Sequence, residues 1–201
     1  MLEINGLILR RGNWQRQYDL QLEPGVLLTI QGRSGAGKSA LLAAIAGFEP
    51  ARGGDIRWQG QSLLPLPVGQ RPVSLLFQEH NLFEHLGVMH NLRLGLAFAN
   101  TPEGKEAIRS AAEALEITPY LKQFPHQLSG GQRQRVALLR TLLRPEPLVL
   151  LDEPFAELDP YTRELAAAWV QAIAKAQQKT VLLVTHQDED VGRLSDRNVI
   201  L

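Results

Sequence analysis

The stretch Gly32-Arg33-Ser34-Gly35-Ala36-Gly37-Lys38-Ser39 constrains this chain more than any other. It fits Gly-x-x-x-x-Gly-Lys-[Ser/Thr], a loop that wraps phosphate. Glycines at 32, 35 and 37 let the backbone curl so that successive N–H groups converge on phosphate oxygens. Lys38 brings an ammonium to the outer phosphates, and the Ser39 hydroxyl offers one oxygen to an octahedral Mg²⁺. The flanks agree: Val26–Ile30 reads as a buried strand, and Ala40–Ala46 reads as a helix ended by Gly47. A strand, a glycine loop and a helix N-terminus place the helix dipole behind an anion. A glycine turn with an incidental lysine would lack both flanks.

Length suits one α/β domain with a substantial core. Formal net charge is zero, which argues against a nucleic-acid or anionic-membrane surface. Cysteine is absent, so disulfides and thiolate metal sites are excluded. The N-terminus lacks a basic region followed by an apolar one, and no apolar run approaches the ~20 residues of a membrane span. The expectation is a soluble protein whose membrane association, if any, goes through a partner.

Along the chain, residues 2–9 and 18–22 alternate as antiparallel strands do, with a turn at Arg11-Gly12-Asn13. Asp55–Trp58, Val73–Phe77, Leu148–Leu151, Val181–Val184 and Asn198–Leu201 read as further strands. Between about 79 and 145 helical spacing replaces strand runs, for example Ile108, Ala111, Ala112 and Leu115. Thr162–Gln178 is predicted as an amphipathic helix with Leu165, Ala168, Trp169, Ala172, Ile173 and Ala176 on one stripe.

Two further constellations carry chemistry. Asp152 and Glu153 follow the apolar run Leu148–Leu151. Ligands gather at the C-terminal ends of parallel strands, so both acids should face the phosphate loop. Asp152 is placed to hold the Mg²⁺ shell, and Glu153 to orient and deprotonate an attacking water. Ser129, Gly130, Gly131 and Gln132 open a basic helix, which makes a second anion-type site beside an ordinary N-cap reading. Two phosphate-type sites for one nucleotide suggest a site completed by a second copy of the chain.

The ordered set resembles the ATPase subunit of ATP-binding cassette (ABC) transporters over essentially the whole chain. Gly32–Ser39, followed by Ala40, matches the Walker A loop, Gln78 the glutamine loop, and Leu128–Gln132 the family signature. Leu148–Asp152 with Glu153 matches Walker B and its catalytic glutamate. Glu157-Leu158-Asp159 matches the loop that crosses the dimer, and His186 the switch histidine. The resemblance implies a P-loop, RecA-like α/β core of about 1–78 and 146–201, with an N-terminal antiparallel subdomain. It also implies a helical subdomain of about 79–145, all within a single domain of 1–201. ATP and Mg²⁺ are the implied cofactors, with Ser39, Gln78 and Asp152 at the metal. Glu153, His186 and Gln78 would form the catalytic group.

The implied partners are a second copy in a head-to-tail ATP sandwich, transmembrane permease subunits and a separate solute-binding protein, at the cytoplasmic face of the inner membrane. No nucleic-acid partner is implied. Arg71–Leu86 and Pro125-His126-Gln127 resemble bacterial importers. They are most similar to thiamine importer ATPases, with ferric-iron, polyamine and molybdate importer ATPases also similar. A DNA- or ribosome-directed ABC ATPase is the runner-up, set back by the short interval between Lys38 and Asp152 and by the neutral charge. A non-hydrolysing module is set back by Glu153 and His186. Arg11, with Trp14 nearby, stands where the family has an adenine-stacking aromatic. The family usually continues beyond the last strand seen here, so the resemblance implies a minimal or shortened cassette.

Overall fold

A computed structural model describes residues 1–79, 81–96 and 98–201. The strands are β1 (Leu2–Arg11), β2 (Trp14–Leu22), β3 (Leu27–Gln31), β4 (Gly53–Trp58), β5 (Gln61–Ser62), β6 (Val73–Leu76), β7 (Leu148–Asp152), β8 (Thr180–Val184) and β9 (Arg197–Ile200). The helices are α1 (Lys38–Ala46), α2 (Val88–Arg93), α3 (Pro102–Ala114), α4 (Gly130–Leu142), α5 (Pro160–Ala176) and α6 (Asp188–Leu194). His80, within the importer-like stretch, lies outside the described residues.

Two compact units result. The first comprises Met1–Leu75, Glu146–Asp152 and Ala174–Leu201, and the second Leu76–Pro145 and Glu153–Ile173. In the first unit, alternation dictates an antiparallel sheet of order β2-β1-β4-β5. Leu2, Ile4, Leu7 and Leu9 all point into the core, their phase restored by a register shift between Ile4 and Leu7. The other sheet has the order β6-β7-β8-β3-β9 and is parallel from β7 to β9. β7 and β8 are buried at every position, as an unbroken apolar run in a central parallel strand requires. α1 is apolar around most of its surface and packs into this core through Leu41, Leu42 and Ile45.

The C-terminus of α1 shows how its carbonyls are satisfied. Buried Arg71 donates from Nη1 to Ala44 O and Ile45 O, both at 2.8 Å, and from Nε to Leu66 O at 3.1 Å. Helix-terminal carbonyls lack intrahelical donors, so one guanidinium replaces them. Burial lowers the Arg71 pKa from its ordinary value, although the group remains a cation.

The second unit is helical. Thr101 caps α3 by accepting from Gly104 N at 3.2 Å, with Pro102 at the first helical position. Fully buried Asn91 ties down the approach to α2 through Phe83 N and the carbonyls of Phe83 and Leu86.

Most predicted elements are present, with β1 and β2 longer than the clearest alternation. α6 and the short β5 were not anticipated. The stripe predicted for α5 is corrected: its buried side chains are Ala166, Ala167, Trp169, Val170 and Ala174, whereas Ala168, Ala172 and Ala176 are exposed. With alanine at most candidate positions the pattern has little angular bias, and Trp169 and Val170 set the buried face.

Candidate functional site

Register places the first constellation. Asp152 on β7 pairs with Val184 on β8, and Val184 pairs with Ile30 on β3. Three neighbouring parallel strands therefore end level with one another. The phosphate loop leaves β3 from Gly32, Asp152 closes β7, and His186 stands two residues beyond β8. Sequence positions more than a hundred residues apart thus share one carboxyl edge, the end of a parallel sheet where ligands gather.

The loop is tightly built. Gly37 is the α1 N-cap, at φ 93° with no side-chain cap, so the first turn of the helix has no local side chain accepting from its N–H groups. A Cβ on Gly37 would collide with the Tyr18 hydroxyl and the Trp14 ring. Lys38 is 5% exposed, and its Nζ donates to Gly32 O at 2.8 Å and Arg33 O at 3.0 Å. The lysine therefore closes the loop on itself. Arg33, Ser34, Gly35 and Ser39 are exposed, while Ala40 is buried beneath the helix start.

β2 supplies a wall that sequence reasoning did not find. Its residues alternate, so Trp14, Arg16 and Tyr18 share one face while Gln15, Gln17 and Asp19 are exposed. Arg16 Nη1 donates to Ala36 O at 2.6 Å, and the Tyr18 hydroxyl donates to Gly37 O at 3.0 Å. Burial raises the Tyr18 pKa, with the Arg16 charge opposing it, so the phenol stays protonated and remains a donor. The signal was the period of two in Trp-Gln-Arg-Gln-Tyr, but nothing local said which element that face would meet.

Arg11 and Trp14, the two candidates for stacking on a base, sit in contrasting environments. Arg11 pairs across the strand with Trp14 but sends its guanidinium to Glu49, with Nε to Oε2 at 2.7 Å. The hydrogen bond to Glu49 raises the Arg11 pKa. Trp14 is half-buried, with its six-membered ring against Gly37.

Asp152 is buried at 7% exposure. Its carboxylate and the Ser39 hydroxyl are hard oxygen donors that suit Mg²⁺, which takes few protein ligands and completes its octahedron with phosphate and water. Among the described residues, no three His, Cys, Asp or Glu side chains form a metal-holding group of their own.

His186 is exposed, and its backbone is braced on both sides. Thr185 N donates to Ile30 O at 3.2 Å, and the Thr185 hydroxyl accepts from Gln187 N at 3.1 Å while donating to buried Asp190 on α6. The histidine lies at the centre of a small side-chain-closed turn.

The second unit holds the other predicted residues. Gln78 is exposed just past β6. Glu153 adopts φ +49°, an uncommon conformation for a side-chain-bearing residue that costs roughly 1 kcal/mol or more. Its carbonyl accepts from Gln134 Nε2 at 3.2 Å, so α4 helps to hold that backbone. Ser129 caps α4 in a reciprocal box: Gln132 N donates to Ser129 Oγ at 3.3 Å, and Ser129 N donates to Gln132 Oε1 at 2.9 Å. A Cβ on Gly130 would overlap the Glu157 carboxylate, and one on Gly131 would lie 2.9 Å from Glu157 O. The two glycines thus leave room for the Glu157-Leu158-Asp159 loop.

Comparison with known proteins adds to this geometry. The ABC transporter family model matches residues 15–156. The thiamine import ATP-binding protein ThiQ of Histophilus somni is 46% identical over 202 residues, covering 99% of this chain and 94% of that protein. The ThiQ of Vibrio cholerae is 46% identical over 187 residues, covering 92% and 79%. A dimeric post-hydrolysis structure of the ATP-binding cassette MJ0796 bound to ADP and Pi superimposes with a TM-score of 0.86 at 26% identity, covering 100% of this chain and 94% of that one. A second dimeric structure of MJ0796, described as a bacterial ABC transporter cassette, gives 0.87 at 27% identity.

Proposed function

The chain belongs to the ABC transporter family as an ATP-hydrolysing member, and from that premise we propose that it drives a bacterial importer whose cargo is thiamine. The observation that carries the motor is the level ending of β3, β7 and β8, which gathers the loop of Lys38, Asp152 and His186 on one edge. The cargo rests on the relatives named for thiamine import.

In this reading residues 32–40, through their amides other than that of Ala36, and the Lys38 ammonium hold the phosphates. Ser39 and Asp152, with Gln78, hold Mg²⁺, which when bound neutralises charge on the transferred phosphoryl group. Glu153 accepts a proton from the attacking water, and His186 fixes that water against the γ-phosphate. Trp14 takes the base, because the Arg11 guanidinium is engaged by Glu49. Ser129, Gly130, Gly131 and Gln132 complete the site of a second copy. ATP then closes a head-to-tail dimer, and hydrolysis opens it. No helix among the described residues is long and apolar enough to cross a membrane. By analogy with the relatives named for thiamine import, the chain works from the cytoplasmic face, on permease subunits loaded by a solute-binding protein.

The test is ATP turnover of the wild type beside Glu153→Gln, with particle mass measured with and without Mg-ATP. The variant should lose about 100-fold or more of its turnover, the scale of a missing general base, and accumulate as an ATP-dependent dimer. A monomeric variant with wild-type turnover would overturn both the base and the sandwich. Cargo is read separately: labelled thiamine uptake should fall in cells lacking this gene, and unchanged uptake would remove thiamine.

A further inference from the structure

The last turn of the phosphate loop is held by a strand outside the loop motif. Ala36 O is bound by Arg16 and Gly37 O by Tyr18, both from the inward face of β2. A trans peptide is planar, with its C=O and the following N–H on opposite sides. Drawing the Ala36 and Gly37 carbonyls toward β2 therefore turns the N–H groups of Gly37 and Lys38 to the opposite side. These are the amides at the start of α1, where the positive end of the helix dipole lies. The neighbouring Ala36 N–H is committed to Arg33 O at 3.1 Å, and the Gly37 carbonyl also accepts the first bond of α1 from Leu41 N at 2.9 Å. Tyr18 therefore reinforces the helix at Gly37 O, while Arg16 holds the Ala36 carbonyl from β2. Gly37, at φ 93° and without a Cβ, adds no steric restraint of its own to these peptides, so their orientation rests on the hydrogen bonds to their carbonyls.

We propose that Arg16 and Tyr18 are positioning residues of the nucleotide site: by fixing the carbonyls of Ala36 and Gly37 they preset the amides of Gly37 and Lys38 for a polyphosphate. The inference rests on the reading of Gly32–Ser39 as the phosphate site. Both side chains act through the backbone and neither touches the nucleotide. Their contribution is preorganisation, since a loop already aimed loses less freedom when the anion arrives. Burial of Tyr18 at 4% exposure and the position of Arg16 on the same strand face make the clamp part of the folded unit rather than a surface contact.

Equilibrium binding of ATP and of inorganic tripolyphosphate to the full chain tests this, using Tyr18→Phe, Arg16→Met, Arg16→Lys and Lys38→Ala. Tyr18→Phe and Arg16→Met should each weaken both probes in parallel, by roughly 3- to 10-fold, the scale of one lost hydrogen bond. Arg16→Lys should recover most of the Arg16→Met loss, since an ammonium can still reach the Ala36 carbonyl. Unchanged binding, or weakening of ATP without tripolyphosphate, would overturn the clamp, as would Arg16→Lys no better than Arg16→Met. Lys38→Ala separates the two layers. If it binds both probes normally, the phosphate-site reading itself falls; if it fails while the β2 variants bind as wild type, only the clamp falls.

Discussion

The Thr185 hydroxyl donates to Asp190 Oδ2 at 2.6 Å, and both side chains are buried. A hydroxyl has one proton, so its donation to Asp190 fixes which side of the oxygen receives Gln187 N–H. The turn carrying His186 is thereby oriented by a carboxylate four residues beyond it.

Replacing Thr185 by Val keeps the shape but deletes both bonds and leaves Asp190 short of a donor inside the protein. The expected loss is about 2–3 kcal/mol, which lowers Tm by roughly 4–12 °C for a domain of this size. ATP turnover should fall further than ATP affinity, and Thr185→Ser should restore both. Thermal melting with steady-state kinetics checks this, and equal turnover in the Val and Ser variants would refute it.

Ser129 is exposed at the start of α4, and its cap bond to Gln132 N is long at 3.3 Å. Ser129→Arg should therefore cost the fold only about 1 kcal/mol, the scale of a lost N-cap. It should leave ATP binding by the isolated chain intact while blocking ATP-dependent dimerisation. Equilibrium dialysis alongside light scattering tells the two apart; weakened binding by the monomer would count against a site used in trans.

Two glycines crowded by neighbours should respond differently to alanine. At Gly37 an added Cβ meets the Trp14 ring and the Tyr18 hydroxyl in a core-facing corner, at a φ that disfavours side chains. Gly37→Ala should cost about 2–4 kcal/mol from overpacking and backbone strain. At Gly130 the obstacle is the far end of an exposed Glu157 side chain, which can swing aside. Gly130→Ala should stay within about 1 kcal/mol of the wild type. Denaturant midpoints of the two variants give the comparison directly.

Arg71 makes three hydrogen bonds to carbonyls, two of them on the last turn of the helix that starts at Lys38. Arg71→Met conserves the stem but leaves those carbonyls short of donors, at a cost of about 2–4 kcal/mol. Chemical denaturation should show the midpoint falling with an unchanged m-value. A stable variant would mean that water replaces the guanidinium.

Local sequence went far toward fixing this protein. The glycine spacing of 32–37, the apolar run before Asp152 and the cap Ser129 with Gln132 each combine a local conformation with a local chemistry. They were readable because hydrogen bonds and dihedral preferences within a few residues determine them. Alternation likewise revealed residues 2–9 of β1 and 18–22 of β2, but not the inward row Trp14, Arg16 and Tyr18.

Tertiary structure decided where those faces point. Only the register of β7, β8 and β3 makes Asp152, His186 and the phosphate loop neighbours. Only the packing of β2 commits Arg16 and Tyr18 to the carbonyls of Ala36 and Gly37, and only the fold brings Glu49 to Arg11. α5 went astray for the same reason: alanines carry too little burial energy each to orient a helix, so its buried side was set by what Val170 and Trp169 met. A chain encodes short-range geometry residue by residue. Contacts between distant segments depend on the free energy of the whole core, which no single segment contains.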